Sequence, residues 1–285
     1  MKKSKILIIA LSFAALCANV FGQNKSYPFE IKKTGQGKQA IIFIPGFASS
    51  GDVWNDTKSI YEKHFKCYVL TMAGFAGIAP QSNPSFENWE KAIADYIQQN
   101  KIEKPIIIGH SLGAGLAMAL AADYPELISK IVVVDVMPYR TKLKSPKSNA
   151  NNDSTKIDCA DMIAQITAIS PEQFYQMQKM SISHMVADTS KQEMVINWSI
   201  KSDRQTLAAM FCDFGNTDLR AKIANIKCPN LILMEAPFVN RKSEINEQFK
   251  NFPSANLKYA SKGLHFIMYD DKEFYNEQLS NFIKP

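Results

Sequence analysis

Hydrophobic runs long enough to cross a bilayer are missing from this sequence. The apolar stretch over residues 6–16 is too short, because a membrane-spanning helix needs about 20 apolar residues. Lysines precede this stretch, and Val20 and Gly22 precede Gln23 in the spacing of a signal-peptidase site. The pattern predicts a secretory signal peptide over residues 1–22, export to the periplasm or the medium, and no stable membrane anchor.

Clustered positive charge is scarce as well. The formal net charge of the 285-residue chain is +6, and three of its lysines lie within residues 1–22. That segment contains no acid, so the processed chain carries a formal charge lower by three, +3. The other lysines are scattered, and no basic patch with interleaved aromatic residues occurs. The sequence therefore predicts no nucleic-acid partner and favours a small-molecule ligand.

Cysteine is rare, at five residues, and four of these follow residue 22. None of them forms a C-x-x-C pair, so the spacing indicates no zinc or redox site, and no metal or cofactor is predicted. An exported chain permits disulfides, and one between Cys159 and Cys212 is an option that the sequence leaves open. Most of the cysteines are expected to be buried as small apolar side chains.

Six short runs rich in β-branched residues alternate with stretches of helical character. Continuous apolar runs of this length are typical of strands buried on both faces, as in a parallel sheet covered by helices. The pattern predicts an α/β fold with a mostly parallel central sheet flanked by helices. The predicted strands are residues 40–44, 67–70, 105–109, 130–135, 230–234 and 256–260.

One long interval carries no strand-like run. Residues 139–225 are polar, rich in methionine and helical in character, and an insertion of this length between two strands usually carries its own helices. We therefore expect a helical cap, inserted before the penultimate strand, over the sheet edge where open α/β folds bind ligands. Residues 23–138 and 226–285 are expected to form the core, and the methionines to pack inside the cap.

The sequence GHSLG joins a buried strand to a helix. A serine on such a turn is exposed as a nucleophile, and flanking glycines at Gly109 and Gly113 let the strand and the helix approach closely. A serine hydroxyl also needs a base and an oxyanion site. The loop FIPGF, after the first predicted strand, is expected to bring the Phe47 amide beside that of Leu112, so that both bind the oxyanion of a reaction at Ser111.

The base must be one of four histidines. His64 precedes a strand and so lies at the opposite edge of the sheet, His184 falls in the cap, and the side chain of His110 points away from the neighbouring serine. His265 follows the last predicted strand in a glycine-containing loop, which places it at the same sheet edge as Ser111. We therefore predict that His265 is the base.

The motifs IPGF, GHSLG, VVVD and LHF, in this order along the chain, resemble the α/β-hydrolase superfamily. TMAGFAG, VVVDVMP and LHFIMYD further resemble a bacterial branch of that superfamily with a helical cap. The resemblance implies a triad of serine, acid and histidine in that chain order and hydrolysis of an ester-like bond. Most members place the acid after the penultimate strand, where Phe238 stands here. The acid is then either Glu235 or Asp135, and we favour Asp135 because it ends a strand next to that of the nucleophile.

These residues predict a serine hydrolase that cleaves a small or medium acyl ester through an acyl-enzyme on Ser111. Haloalkane dehalogenases and epoxide hydrolases use an aspartate nucleophile, so the serine excludes both. Thioesterase, amidase or perhydrolase activity on the same triad stays open as an alternative. So does a non-catalytic ligand-binding protein on the same scaffold, which the missing acid after the penultimate strand would suit. The sequence indicates no oligomeric state.

Overall fold

The computed structural model describes residues 26–139 and 157–284. The predicted signal peptide lies outside these residues, as does part of the interval expected to form a cap. The strands are β1 (Phe29–Thr34), β2 (Ala40–Ile44), β3 (Lys66–Met72), β4 (Ile106–His110), β5 (Lys130–Val134), β6 (Asn230–Met234) and β7 (Leu257–Tyr259). The helices are α1 (Asn55–Tyr61), α2 (Phe86–Gln99), α3 (Leu112–Asp123), α4 (Cys159–Ala168), α5 (Pro171–Ser183), α6 (Thr189–Ile200), α7 (Arg204–Asn216), α8 (Lys242–Gln248), α9 (Ile267–Asp270) and α10 (Lys272–Phe282).

Within the described residues, seven strands form one sheet in the order β1-β3-β2-β4-β5-β6-β7. β1 pairs with β3 in the antiparallel direction, and all other neighbours are parallel. Every residue of β2, β4 and β6 is buried, as expected for strands that are covered by helices on both faces. The predicted α/β fold with a mostly parallel central sheet is confirmed.

β1 is a strand that the apolar runs did not predict. Its sequence, FEIKKT, alternates in burial because β1 lies at the edge of the sheet and pairs only with β3. Phe29 is buried opposite Met72, whereas Lys32 and Lys33 are exposed. Charged side chains on an edge strand disfavour pairing with a second chain, so this strand carries a different pattern from the buried ones.

Two helices show why the chain folds locally as it does. α2 begins after Ser85, whose side chain accepts a hydrogen bond from the Asn88 N–H, and it buries Trp89, Ile93 and Ile97 along one stripe. α3 is buried over nearly its whole length, because its many alanines and glycines let it pack closely on the sheet. No helix in the described ranges is long and apolar enough to cross a membrane.

Four helices, α4 to α7, occupy the described part of the interval between β5 and β6. A disulfide joins Cys159 of α4 to Cys212 of α7, with the two Cα atoms 5.5 Å apart. No residue of α4 is fully buried, and the disulfide joins this helix covalently to α7, along which it packs. The disulfide is one of the options that the sequence left open. Cys67 is buried and Cys228 is half-buried, each as a free thiol.

Candidate active site

Ser111 lies on the turn between β4 and α3. Its φ is 52° and its ψ is −119°, a conformation that costs a non-glycine residue about 1–3 kcal/mol and that recurs at functional sites. The Ser111 N–H donates to the Val134 carbonyl oxygen at 2.8 Å, which fixes the turn against β5. The Ser111 side chain makes no capping hydrogen bond to α3, and Ser111 lines a cavity. The hydroxyl is therefore placed for chemistry rather than for support of the helix.

The two glycines of GHSLG are required by close backbone approaches. A Cβ on Gly109 would lie 2.1 Å from the Gly113 carbonyl oxygen, and a Cβ on Gly113 would lie 2.3 Å from the Ile44 carbonyl oxygen. In real structures a Cβ atom essentially never lies within 3.0 Å of a non-neighbouring heavy atom. A side chain at either position would therefore force α3 away from the sheet and move the serine turn with it.

Asp135 and His265 are brought into direct contact. Asp135 follows β5 with a φ of 54°, its carboxyl is buried, and its Oδ2 lies 2.6 Å from Nδ1 of His265. Because a carboxylate can only accept, the Nδ1 atom carries the proton of this hydrogen bond. In the neutral ring, the Nε2 atom of His265 then carries no proton and can accept one. This is the arrangement that orients a histidine as a general base.

The loop that carries His265 is held on both sides. The Leu264 N–H donates to Oδ2 of Asp270 at 2.8 Å, and the Phe266 N–H donates to the carbonyl oxygen of Met185 at 3.2 Å. Asp270 also accepts from backbone N–H groups between α5 and α6. The histidine loop is thus tied both to α9 and to the inserted helices, which limits its movement.

Glu235, the alternative acid, lies next to this pair without replacing Asp135. Its backbone N–H donates to Oδ1 of Asp135 at 2.7 Å, so Glu235 supports Asp135 through its main chain. Its side chain lines the cavity, as does Phe238. Burial, followed by the negative charge of Asp135, raises the pKa of the Glu235 carboxyl to about 7. Of the two carboxyls, only that of Asp135 is hydrogen-bonded to His265 in the described chain.

The loop after β2 packs directly on the serine turn. A Cβ on Gly46 would lie 3.2 Å from the Cβ of Ser111, so Phe47, the next residue, lies close to the serine. Leu112 is the first residue of α3, where backbone N–H groups have no partner within the helix. Across residues 26–139 and 157–284, neither the Phe47 nor the Leu112 N–H donates a hydrogen bond. Both amides are therefore available to an oxyanion beside Ser111.

Ser111, Asp135 and His265 all line one cavity of about 720 Å³. The core contributes Phe47, Met137 and other side chains, and the inserted helices contribute a largely apolar wall. That wall includes Met162, Ile166, Phe174, Met185, Leu207 and Phe211. The catalytic candidates thus lie against an apolar surface that α4 to α7 supply.

The methionines of the insertion are not all packed inside it, so that expectation is wrong for several of them. Met162, Met177 and Met185 line the cavity, and Met180 is 68% exposed. Met210 alone among these five is fully buried. Flexible methionine side chains at a cavity wall can adapt to ligands of different shape.

The described lining of the cavity contains acidic side chains but neither lysine nor arginine. These carboxyls belong to Asp135 and Glu235. Gln178, Ser181 and His184 add further polar groups from the insertion. No cluster of three His, Cys, Asp or Glu side chains suited to a metal ion occurs in the described ranges.

Comparison with known proteins agrees with this geometry. A family model described as the alpha/beta hydrolase fold matches residues 39–154. The chain has the α/β-hydrolase fold. It is similar to the pimeloyl-[acyl-carrier protein] methyl ester esterase of Vibrio cholerae, with 24% identity over 200 residues that cover 70% of this chain and 76% of that protein. The protein of the same name from Vibrio campbellii is 23% identical over 253 residues, which cover 87% of this chain and 95% of that protein.

Solved structures share this fold. An esterase from Exiguobacterium antarcticum superposes with a TM-score of 0.73 at 18% identity, over 90% of this chain and 96% of that one. The enol-lactonase from Burkholderia xenovorans gives a TM-score of 0.72 at 14% identity, over 89% of this chain and 95% of the other. At such identities the likeness shows the fold.

Sequence reasoning missed one residue of this α/β hydrolase site. His110 was set aside as a base because its side chain points away from the serine, and no role was assigned to it. In the structure its ring is buried and its Nε2 lies 3.0 Å from the carbonyl oxygen of His265. The only signal in the sequence was the presence of a histidine inside GHSLG. His184 lines the cavity from the insertion, whereas His64 is absent from the described lining.

Proposed function

We propose that this α/β hydrolase cleaves carboxylic esters of small or medium acyl groups through an acyl-enzyme on Ser111. The contact that carries the proposal is the 2.6 Å hydrogen bond between Asp135 and His265, in a cavity that Ser111 also lines. Names of the relatives support esters as the substrate class, since the relatives from both Vibrio species are methyl ester esterases. Nothing in the described site favours a thioester or an amide over an ester.

The proposed reaction has two steps. Ser111 Oγ attacks the ester carbonyl carbon while His265 Nε2 takes the hydroxyl proton, and the N–H groups of Phe47 and Leu112 bind the oxyanion. The protonated His265 then gives its proton to the leaving alcohol, which departs and leaves the acyl group on Ser111. In the second step water attacks the acyl carbon while His265 Nε2 takes a water proton; the bond to Ser111 Oγ then breaks, His265 returns the proton to Oγ, and the carboxylic acid leaves. Asp135 keeps the Nδ1 proton in place and stabilises the imidazolium.

A fluorophosphonate tests whether the serine is activated. We expect the full-length or mature protein to be labelled on the peptide that contains Ser111, because only a serine with a working base reacts quickly. Mass spectrometry of the digested protein identifies the labelled peptide. Absence of labelling would favour the non-catalytic ligand-binding alternative, and labelling on another serine would move the site.

The cavity wall suggests which acyl groups fit. We propose that α4 to α7 form the described part of a cap whose apolar side chains hold the acyl chain. A terminal carboxylate on that chain would lose its hydration without meeting a lysine or arginine of the described lining, and it would face Asp135 and Glu235. The preferred acyl group is therefore uncharged along its length.

A matched pair of substrates measures this preference. We expect kcat/KM for methyl 4-nitrophenyl adipate to exceed that for mono-4-nitrophenyl adipate by about 100-fold, because the second carries a free carboxylate. The leaving group and chain length are the same in both esters. With a pKa of about 7 the Glu235 carboxyl is mostly charged at pH 8, so at that pH Glu235→Gln is expected to narrow the ratio of the two kcat/KM values several-fold. Equal kcat/KM values for the two esters would contradict the proposed wall.

Export is part of the same proposal. The disulfide between Cys159 and Cys212 supports it, because disulfides persist in oxidising compartments such as the periplasm. We expect the mature chain to begin at or near Gln23 and its peptide map to contain this disulfide before reduction. N-terminal sequencing and non-reducing mass spectrometry check both points. A membrane-bound form that retains Met1, or a chain with both thiols free, would contradict export.

A further inference from the structure

His110 is buried between the loop that carries His265 and the loop that follows β2. It ends β4, it is 1% exposed, and its ring centroid lies 4.6 Å from each of the His265 and Phe266 ring centroids. Its Nε2 lies 3.0 Å from the main-chain carbonyl oxygen of His265. A carbonyl oxygen can only accept, so Nε2 of His110 carries the proton. The residue before the nucleophile thus donates a hydrogen bond to the main chain of the base.

The other edge of the His110 ring faces the loop after β2. A Cβ on Gly46 would lie 2.7 Å from Nδ1 of His110, so only glycine leaves room for this ring. Nδ1 is buried and has no hydrogen-bond partner among the described residues. Burial, followed by the proximity of His265, lowers the pKa of His110 well below its usual range. The ring is therefore neutral, as a donor through Nε2 alone requires.

We propose that His110 is a positioning residue that sets the distance between the nucleophile turn and the base loop. The inference rests on the proposed function, since it assigns His110 a task in the reaction of Ser111 with His265. His110 is joined to Ser111 by one peptide bond and to His265 by one hydrogen bond, and it packs on Gly46 beside Phe47. One buried side chain therefore contacts the three segments that supply the nucleophile, the base and an oxyanion amide.

The energetic reason lies in the geometry of proton transfer. Asp135 fixes the ring of His265 at Nδ1, but the position of the ring also depends on the main chain that carries it. A displacement of about 1 Å between a nucleophile and its base can cost about 100-fold in rate. His110 lines the cavity but is only 1% exposed, so we expect its loss to affect turnover more than substrate binding.

Two substitutions separate the hydrogen bond from the shape of the ring. In His110→Phe a ring of similar size remains but the donor is lost, and we expect kcat on 4-nitrophenyl butyrate to fall about 10- to 100-fold with KM within about twofold of the original value. In His110→Gln the amide Nε2 lies as many bonds from Cα as the donor of histidine. We expect this variant to recover kcat to within about fivefold of the wild type.

The outcomes are distinguishable. Equal losses in the two variants, or a rise in KM at unchanged kcat, would overturn the positioning role. Urea denaturation of each variant shows whether a loss of kcat accompanies a loss of folding. Inactivity of the wild-type protein on every ester would reject the proposed function instead. The hydrogen bond from His110 to the His265 carbonyl oxygen can then still be tested by a measurement that does not depend on activity.

That measurement is ¹⁵N NMR of the histidine rings in the wild-type protein without a histidine tag. The chain has four histidines, and comparison with His110→Phe, or with His110→Gln if the first does not fold, assigns the resonance of His110. We expect a neutral ring protonated on Nε2 at pH 7.5, because Nε2 donates to the His265 carbonyl oxygen. A ring protonated on Nδ1, or on both nitrogens, would overturn the proposal without reference to activity.

Discussion

Ser111→Ala should lower the turnover of 4-nitrophenyl esters by about 10⁴- to 10⁶-fold, the usual cost of losing the nucleophile of a serine triad. The fold should survive, because the Ser111 side chain makes no capping hydrogen bond to α3 and only its backbone holds the turn. Alanine also keeps a Cβ at the strained φ of 52°, so the strain of the turn is the same in both proteins. Initial rates of the purified variant measure the loss of turnover, and its thermal unfolding shows whether the fold is intact.

Ser181→Ala is the matched control for this substitution. Ser181 also lines the cavity, but it lies in α5 and no hydrogen bond to His265 is described for it, so its loss should change turnover by less than about threefold. Residual turnover of Ser111→Ala within tenfold of the wild type would reject the serine mechanism. A comparable loss in both variants would indicate that the measured esterase activity depends on the cavity wall and not on an activated serine.

The central sheet could be predicted because its strands are buried on both faces. β2, β4 and β6 are largely apolar runs of five residues, and this short length favours strands over buried helices. β1 could not be predicted in this way, because an edge strand is half-exposed and its lysines interrupt the apolar pattern. The disulfide was undecidable from the sequence for a related reason, since the packing of α4 on α7 determines whether the two thiols meet.

The site residues also differ in whether local sequence or a long-range contact determines their position. Residue type and position after buried strands predict Ser111 and His265 as nucleophile and base, and the structure brings both to one cavity. Asp135 was favoured over Glu235 because of the strand that it ends, and Asp135 is the carboxylate hydrogen-bonded to His265. The sequence does not predict a role for His110, because its proposed role depends on a main-chain carbonyl 155 residues away. Sequence spacing carries no information about such a contact.

Asp135→Asn and Glu235→Gln test which carboxylate serves the base, and they should differ strongly. In Asp135→Asn the amide oxygen can still accept from the Glu235 N–H, so the amide nitrogen faces Nδ1 of His265. That nitrogen donates, so Nδ1 must lose its proton and Nε2 must carry it. A His265 protonated on Nε2 cannot take the serine proton, and turnover should fall by about 10⁴-fold with little change in structure.

Glu235→Gln should cost less than about tenfold, because the hydrogen bond from Glu235 to Asp135 comes from the main chain and survives the change. The pH dependence of the stability of Glu235→Gln supplies an internal check. The pKa of Glu235 is raised to about 7, so the wild type loses stability as the pH rises from the ordinary glutamate pKa through 7, whereas the glutamine variant does not. The variant should therefore gain in free energy of unfolding relative to the wild type at pH 8 and not at pH 4, as urea titrations would show.

Both variants are best compared on one ester at one pH, because the ranking of their rates identifies the acid. Asp135 has its side chain buried against His265 and its backbone strained at a φ of 54°, a cost that a residue with a catalytic task explains better than a loop cap does. A larger loss in Glu235→Gln than in Asp135→Asn would transfer the role to Glu235. Near-normal rates in both would mean that His265 acts without a carboxylate partner, and the 2.6 Å contact would then serve the fold alone.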